Sequence, residues 1–423
     1  MIKIKKKIIT TVLILLFIGL AFAPSINANT QSDFVEKTFA SFNGKTLYVG
    51  GDGPGNYTKI QEAVDNASDG DTVFVYHGTY YEHLLLNKSL KLIGENKAST
   101  KIISLNHTIC IFIISNSVLI CGFTIHGNYS YHGIYIKDSQ YCIVEDNTIQ
   151  FNSYGIYNDN SSFIQILNNH FQNNTADGIS CDHSNNTIIE ENNILYNGRH
   201  GISIGFSPSS TLDNNHIHWN GEYGITFYFC DELTITNNLI HENLENGIDG
   251  FNSYFINISD NSIYRNKGHG IEVWDPIFGC ISNNHIFENN HSGIFLLFGN
   301  DSIITNNRIE SNNKCGIELM CTFKSNVSYN SISENDIFGC FLNWSWDNKV
   351  IYNTFIDNHR DAYSSWIIDN IIHSVNIWDG NYWSRARILP KPIFGYFVIL
   401  RFWIKIPWFP QFDWHPAKEP YDI

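Results

Sequence analysis

The sequence predicts an all-β solenoid: a single-stranded, right-handed parallel β-helix with three sides and about eleven to twelve rungs of 23 residues. Three observations predict it. The phrase GI-x-(I/L/V) recurs with its glycine at Gly133, Gly155, Gly178, Gly201, Gly224, Gly247, Gly270, Gly293, Gly316 and Gly339, the first step being 22 residues and the other eight 23. Each repeat holds short runs that alternate with period two, such as GISI, STLDN and NHIHWN within 201–220. Ile dominates and helix formers are scarce, which separates the repeat from a leucine-rich repeat of similar length.

The segments follow in order. Lys3, Lys5, Lys6 and Lys7 precede an apolar stretch at 8–23, and small residues then allow a cut after Ala28. This is the pattern of a secretory signal peptide over 1–28, with an uncleaved membrane anchor as the alternative. A linker at 29–45 leads to an N-terminal cap and first turns at 46–105, in which 58–67 (TKIQEAVDNA) reads as a short amphipathic helix. The β-helix repeats occupy 106–381, including a weaker rung around Cys110-Ile111-Phe112-Ile113. Residues 382–423 abandon the repeat and carry Trp383, Trp403, Trp408 and Trp414, as an aromatic, Pro-rich cap or a flap over one face. Arg401, Lys405 and Pro407 make its apolar stretch a poor membrane span, so none is expected in the mature chain.

Within the repeat, Ile follows the glycine in nine of ten rungs and Cys340 in the last. An Asn stands 14 residues after each glycine, from Asn147 to Asn353, and another 19 after, from Asn152 to Asn358. Ala362 falls where an eleventh glycine belongs, with Asn376 and Asn381 at the amide positions. The Ile residues are expected to stack inward, about 4.8 Å apart along the axis. The Asn residues are expected at turns, where they tolerate left-handed backbone and stack as amide ladders. They are therefore structural.

The net charge is −15 with only 16 % charged residues, which disfavours nucleic acid and anionic membranes and suits neutral or cationic ligands or divalent cations. Nine Cys lack any C-x-x-C spacing, so no zinc site is indicated and most read as small buried residues.

YVGGDGPGNYTKIQEAVDNASDGDTVFVYHGTYYEHLLLNKSLKLIGE resembles the opening of pectin-lyase-like β-helix proteins. The N-x-I…N…GI-x-I rungs resemble NosD-type repeats, a carbohydrate-binding and sugar-hydrolase-like β-helix group, and the likeness runs over about residues 46–381. The resemblance implies the fold, and among surface proteins of archaea and bacteria the closing FDWHPAKEPYDI is similar to archaeal tails. A copper-maturation role of the NosD kind does not transfer through repeats alone. The D-P-H-D motif of polysaccharide-active members is missing, since Asp275-Pro276 is followed by Ile277, and no Asp-rich calcium cluster with a well-placed Arg is evident.

Counted from the glycine, residues at +1 and +3 point inward and those at +2 and +4 outward. The +4 column carries Tyr228, Phe251 and Trp274, the +2 column Asp249 and Glu272, with Asp275 and His269 at the edges. Aromatic faces beside carboxylates are what a sugar-binding groove needs; the alternative is a strip that packs under the tail. Asp249 and Glu272 on adjacent rungs lie roughly 4.8 Å apart at the backbone. That spacing suits a catalytic pair of the kind that retaining glycosidases hold about 5–5.5 Å apart. Asp159 and Asp182 form a second, weaker pair beside His183; solvated surface carboxylates are the alternative for both. His216 and His218 form an H-x-H, and His241 lies one rung above His218, a set that suits copper or zinc. His132, His200 and His269, each just before a glycine, read as turn filling, and Glu242, Arg265 and Glu288 as a salt-bridged ladder.

The expectation is a secreted or cell-surface protein, monomeric and non-catalytic, that binds a polysaccharide or cell-surface glycan. It requires no cofactor, with calcium or copper as the ions it can take. The alternatives are a polysaccharide-active hydrolase, lyase or epimerase, and a metal-handling accessory protein.

Overall fold

The computed structural model describes residues 44–421 apart from 105–107, 130, 369–374, 388, 400–403 and 408–410. The expected signal peptide and nearly all of the linker lie outside the described residues. Three strands per rung coil into three parallel sheets, which we call I, II and III in the order the chain visits them within a repeat. Sheet I carries the GI-x-I strands (such as Ile248–Phe251), sheet II the next run (Asn257–Ser259) and sheet III the last (Ser262–Tyr264). Sheets I and II hold 15 strands each and sheet III holds 14. This makes about 14 turns, more than the eleven to twelve expected, because the stack already begins at Thr46–Val49, where the glycine–isoleucine phrase is missing.

The inward columns are dry. Ile225, Ile248, Ile271 and Ile294 on sheet I, Ile235 and Ile258 on sheet II, and Ile240, Ile263 and Ile286 on sheet III are fully buried. Each such side chain contributes about 1.5–3 kcal/mol by leaving water. The glycine before each Ile is required by crowding, not by backbone angle. A Cβ on Gly247 would strike Ile263, the Gly270 carbonyl and the Asn266 amide.

The two Asn columns form continuous buried ladders. Asn238 typifies them: its Nδ2 donates to the carbonyls of Leu212 (2.9 Å) and Thr236 (2.8 Å) and to Asn261 Oδ1 (3.0 Å). Its own Oδ1 accepts the Asn215 backbone N–H (2.9 Å) and Nδ2 (3.0 Å). The side chain thus satisfies backbone groups that the turn would otherwise leave buried and unpaired. One expectation is corrected here. The ladder Asn are not the left-handed residues; the residue just before each is, as at Asn237 (φ 54), Asp260 (φ 60), Glu242 (φ 55) and Arg265 (φ 54). Pointing an Asn side chain into the turn takes a reversal one residue earlier.

The eleventh rung is also corrected. Ala362 pairs with Cys340, so it occupies the isoleucine position and Asp361 that of the glycine. Asn376 continues the column of Asn348 (Asn348 N to Asn376 Oδ1, 3.0 Å), and Asn381 continues that of Asn353 (2.9 Å). Ala362 slips by one because Asn358 to Asp361 is three residues where most rungs take four, and the Asn columns slip because more residues separate Ser365 from Asn376 than in other rungs.

Both ends are closed. The helix Ile60–Asn66 buries Ile60, Ala63 and Val64 over the first rungs, and Glu82 caps it by accepting the backbone N–H of Ile60 (2.8 Å) and Gln61 (3.0 Å). At the other end the tail strand Gln411–Asp413 pairs antiparallel with Lys391–Ile393. Its Asp413, fully buried, accepts from Gly380 N (3.1 Å), Asn381 N (2.9 Å), Asn381 Nδ2 (3.1 Å) and Trp383 Nε1 (3.0 Å). A carboxylate therefore terminates the amide ladder where no further Asn follows. Tyr421 reaches back to donate to the Gly380 carbonyl (2.6 Å). All nine Cys are free thiols, six of them buried. No described helix is long and apolar enough to cross a membrane.

Two outcomes follow. Asn238→Leu strips several buried backbone groups of their partners at about 1–3 kcal/mol each; thermal unfolding should show a markedly lower midpoint, whereas substitution of exposed Asn290 should leave it unchanged. Asp413→Ala should loosen the last rungs first, seen as faster amide exchange around Asn353 and Asn381 while the central rungs keep their protection.

Candidate functional site on sheet I

The outward residues of sheet I form two columns, as the alternation requires. Phe251 (39 %) and Trp274 (43 %) are exposed in the +4 column, while Asp249 and Glu272, in register in the +2 column, are half-buried. Tyr228 lies lower than expected: its ring folds back over Gly205, where any side chain would collide with it, and meets Phe206 edge-on at 5.5 Å. The described part of the tail packs on residues between Tyr329 and Trp383, so it does not cover this strip.

Asp249 and Glu272 are tied together by a residue that sequence reasoning passed over. Asn246 precedes the glycine, and its Nδ2 donates to Asp249 Oδ1 (2.9 Å) and to Glu272 Oε2 (2.7 Å). Its Oδ1 accepts the His269 backbone N–H (2.7 Å), which fixes the amide's orientation. Trp274 Nε1 donates to Glu272 Oε1 (2.6 Å), so the exposed indole and the carboxylate are locked as one unit. Burial, with the charge of Glu272 added and the Asn246 bond opposing, pushes the Asp249 carboxyl up to about 6. Tyr223, one rung below Asn246, has its hydroxyl pushed up to about 12, first by burial and then by Asp249.

The column before the glycine is therefore not filler. His269 stacks on Phe295 (5.0 Å) and meets His291 edge-on (4.9 Å), and burial drives its imidazole down to about 3. It is neutral at pH 7, and its Nε2, 3.9 Å from Glu272 Oε2, is too distant for a hydrogen bond, so this contact is not an ion pair. Ser292 in the same column donates to Glu318 (3.0 Å), a third carboxylate of the +2 column that the pairwise reading missed. The signal for this column was the shift from His or Tyr to Asn246 and Ser292 beside the acidic rungs.

Asp275, half-buried with φ 52, opens the turn beside Trp274. Around that turn Phe206, Phe229, Phe255, Phe278 and Phe298 are all exposed, and Phe255 stacks on Phe278 at 5.2 Å. These turn aromatics widen the expected strip into a ledge; sequence reasoning followed strand columns and so missed them. Asp159 and Asp182 are in register but do not join this site. Three rung steps, roughly 14 Å, separate Asp182 from the rung of Asp249. Asp159 accepts from Tyr135 (3.0 Å), and Asp182 lies 3.2 Å from His183, which stacks on Phe206.

On sheet III, His216, His218 and His241 do come together, with one ligand atom of each within 4.8 Å of the others. The expected charge ladder is only half present. Arg265 pairs with Glu288 (2.6 Å), but Glu242 turns instead to His241 (3.0 Å).

Comparison with known proteins agrees with this architecture. Residues 26–188 and 154–275 match the family described as right handed beta helix region, and residues 219–387 match periplasmic copper-binding protein (NosD). A cell surface glycoprotein of Methanothermus fervidus is 41 % identical over 96 residues, a stretch that covers 22 % of this chain and only 16 % of that protein. Among solved structures, the A-module of an Azotobacter vinelandii mannuronan C-5 epimerase is 17 % identical, with a TM-score of 0.51 over 75 % of this chain and 92 % of the module. The catalytic unit of a GH87 alpha-1,3-glucanase from Streptomyces thermodiastaticus is 12 % identical, with a TM-score of 0.58 over 76 % of this chain and 64 % of that one. At such identities the structural likeness extends to the fold and no further. With the family match spanning more than half of the sequence, the chain belongs to the right-handed β-helix family.

Proposed function

We propose that this chain is an extracytoplasmic, non-catalytic carbohydrate-binding protein that lays a glycan along sheet I. The observation that carries the reading is the Trp274–Glu272–Asn246–Asp249 unit, an exposed indole locked beside hydrogen-bonding groups on a rigid sheet. The indole and Phe251 offer flat apolar faces to sugar rings, and the two carboxyls accept from hydroxyls. Tyr228 borders the strip, and Asp275 and His269 stand at its two edges. An acidic face favours neutral or cationic glycans over uronate chains. The name of the cell-surface relative and the leader-like N-terminus support a place outside the cytoplasm. The reading needs no cofactor or calcium and takes the chain as a monomer.

One observation favours a second reading, a polysaccharide-active hydrolase, lyase or epimerase. Asp249, raised to about 6, holds its proton into the mildly acidic range beside a second carboxyl. That is the asymmetry an acid and a base or nucleophile need. In this reading Asp249 supplies the proton and Glu272 acts as base or nucleophile. Asp159 and Asp182, with no such bridging amide, are the weaker pair.

Binding and catalysis separate in one experiment. With a panel of neutral and acidic polysaccharides, co-sedimentation should show retention without new reducing ends or altered sugars, and Trp274→Ala should weaken retention at least about tenfold, the scale of one lost stacking contact. Product formation that Glu272→Gln stops would establish the second reading instead. The raised carboxyl also sets a pH dependence. Below about pH 4 Asp249 is protonated in both folded and unfolded chains, and stability falls as pH rises towards about 6, because only the unfolded chain ionises freely there. Asp249→Asn should remove that part of the fall, measured as the thermal midpoint across pH 4 to 7.

A further inference from the structure

A second constellation lies on a different face and is independent of the glycan reading. His216 and His218 are the first and third residues of the strand His216–His218, so both imidazoles leave sheet III on the same side. His241 pairs with His218 in register on the next strand. The three rings therefore converge: His216 stacks on His218 at 4.1 Å, and His241 lies 4.9 Å from His218 and 5.0 Å from His216. His218 and His241 are buried and His216 is half-buried.

The hydrogen bonds around the trio sort its nitrogens. Asn193 Nδ2 faces His170 Nδ1 (3.2 Å), which turns Asn193 Oδ1 towards His218 Nε2 (3.3 Å). With Nε2–H donating there, His218 Nδ1 carries a bare lone pair, and it is buried with no hydrogen-bond partner. Glu242 accepts from His241 Nδ1 (3.0 Å), which leaves the lone pair on His241 Nε2. That nitrogen faces His216 Nε2 at 2.8 Å. Two imidazole nitrogens so close share one hydrogen at most. If His216 carries its proton on Nδ1 instead, both Nε2 lone pairs point into the same space. Two nitrogens on a tetrahedral zinc-sized ion sit about 3.3 Å apart, so the present spacing needs to open only slightly.

We propose that His216, His218 and His241 form a binding site for one first-row divalent metal ion, zinc or copper. Three imidazole ligands with no carboxylate among them favour these ions over calcium or magnesium. Glu242 acts as the outer-shell carboxylate that orients His241. Trp219, 4.4 Å from His218, and Tyr264, stacked on His241 at 4.7 Å, hold the rings in place from either side. Three protein ligands leave a fourth position open, which suits an exchangeable ion more than a purely structural one.

The test is equilibrium dialysis of the metal-stripped protein against zinc, copper and calcium separately, with bound metal counted by mass spectrometry. The proposal expects one tightly held zinc or copper per chain and no calcium. Glu242→Gln should weaken binding about tenfold or more, and His216→Asn combined with His218→Gln should abolish stoichiometric uptake while circular dichroism stays unchanged. Cobalt loading should give the intense visible bands of a tetrahedral site in the wild type and not in the double variant. The proposal is overturned by absence of stoichiometric zinc or copper, by calcium uptake in their place, or by uptake and cobalt bands that survive the double substitution. Should the double variant fail to fold, Glu242→Gln, with a half-buried side chain altered by one atom, decides the matter through its affinity alone.

Discussion

The whole molecule depends on one interaction, the buried side-chain amide that hydrogen-bonds to the rungs on both sides of it. A three-sided coil must turn sharply at every corner, and each turn buries backbone groups that no strand can pair. In each ladder Asn, one oxygen and one nitrogen supply those partners, as at Asn215, Asn238 and Asn261. The geometry leaves little tolerance, so rung length is held wherever the ladders run. Where length does vary, it varies outside them. The 22-residue steps are short between Asn152 and Gly155 and between Asn358 and Asp361, and the extra residues of the longest step fall between Ser365 and Asn376. Asp413 shows the same constraint from the other side: when the last Asn has no successor, the tail brings a carboxylate to accept hydrogen bonds from its N–H groups.

This rigidity makes the outer surface a lattice of columns with a fixed rung spacing. Most columns are simple continuations of themselves, stacked aromatics or hydroxyls. Function is expected where a column changes chemistry in concert with its neighbours. On sheet I this happens across Asn246, Asp249, Glu272 and Trp274, four residues from three columns joined by hydrogen bonds. On sheet III it happens where His216, His218 and His241 meet. Neither set is needed to hold the coil, since neighbouring rungs place Thr226, Phe295, Leu195 or Tyr264 at equivalent positions. The two sites lie on different sheets, so loss of one leaves the other intact.

Much of this was legible in the sequence because a repeat converts spacing into geometry. The glycine phrase gave the rung, and the alternation placed Asp249 beside Glu272 and His241 above His218. What escaped was whatever the period does not encode. Asn246 and Ser292 sit in a turn, and only the fold shows that they lean over the +2 column. Phe229 and Phe278 lie at left-handed turn positions whose direction alternation does not predict. The rungs before Ile111 lack the phrase yet coil the same way, because Leu84 on sheet I and Val73 and Leu92 on sheet II supply inward residues without it. Ala362 is moved by a one-residue shortening before Asp361 and Asn381 by a non-repeating stretch after Ser365, and Asp413 joins its ladder from 32 residues away in sequence.

A glycan lying on sheet I would shield the residues it touches from solvent. Hydroxyl-radical footprinting with and without saturating polysaccharide tests this most directly, because it reads contact residue by residue without altering the protein. Protection is expected at Trp274, Phe251 and the neighbouring turn aromatics, with exposed Tyr196 and Tyr329 elsewhere on the coil oxidised as before. Protection confined to other faces, or no difference at Trp274 under conditions where the polysaccharide is bound, would contradict it.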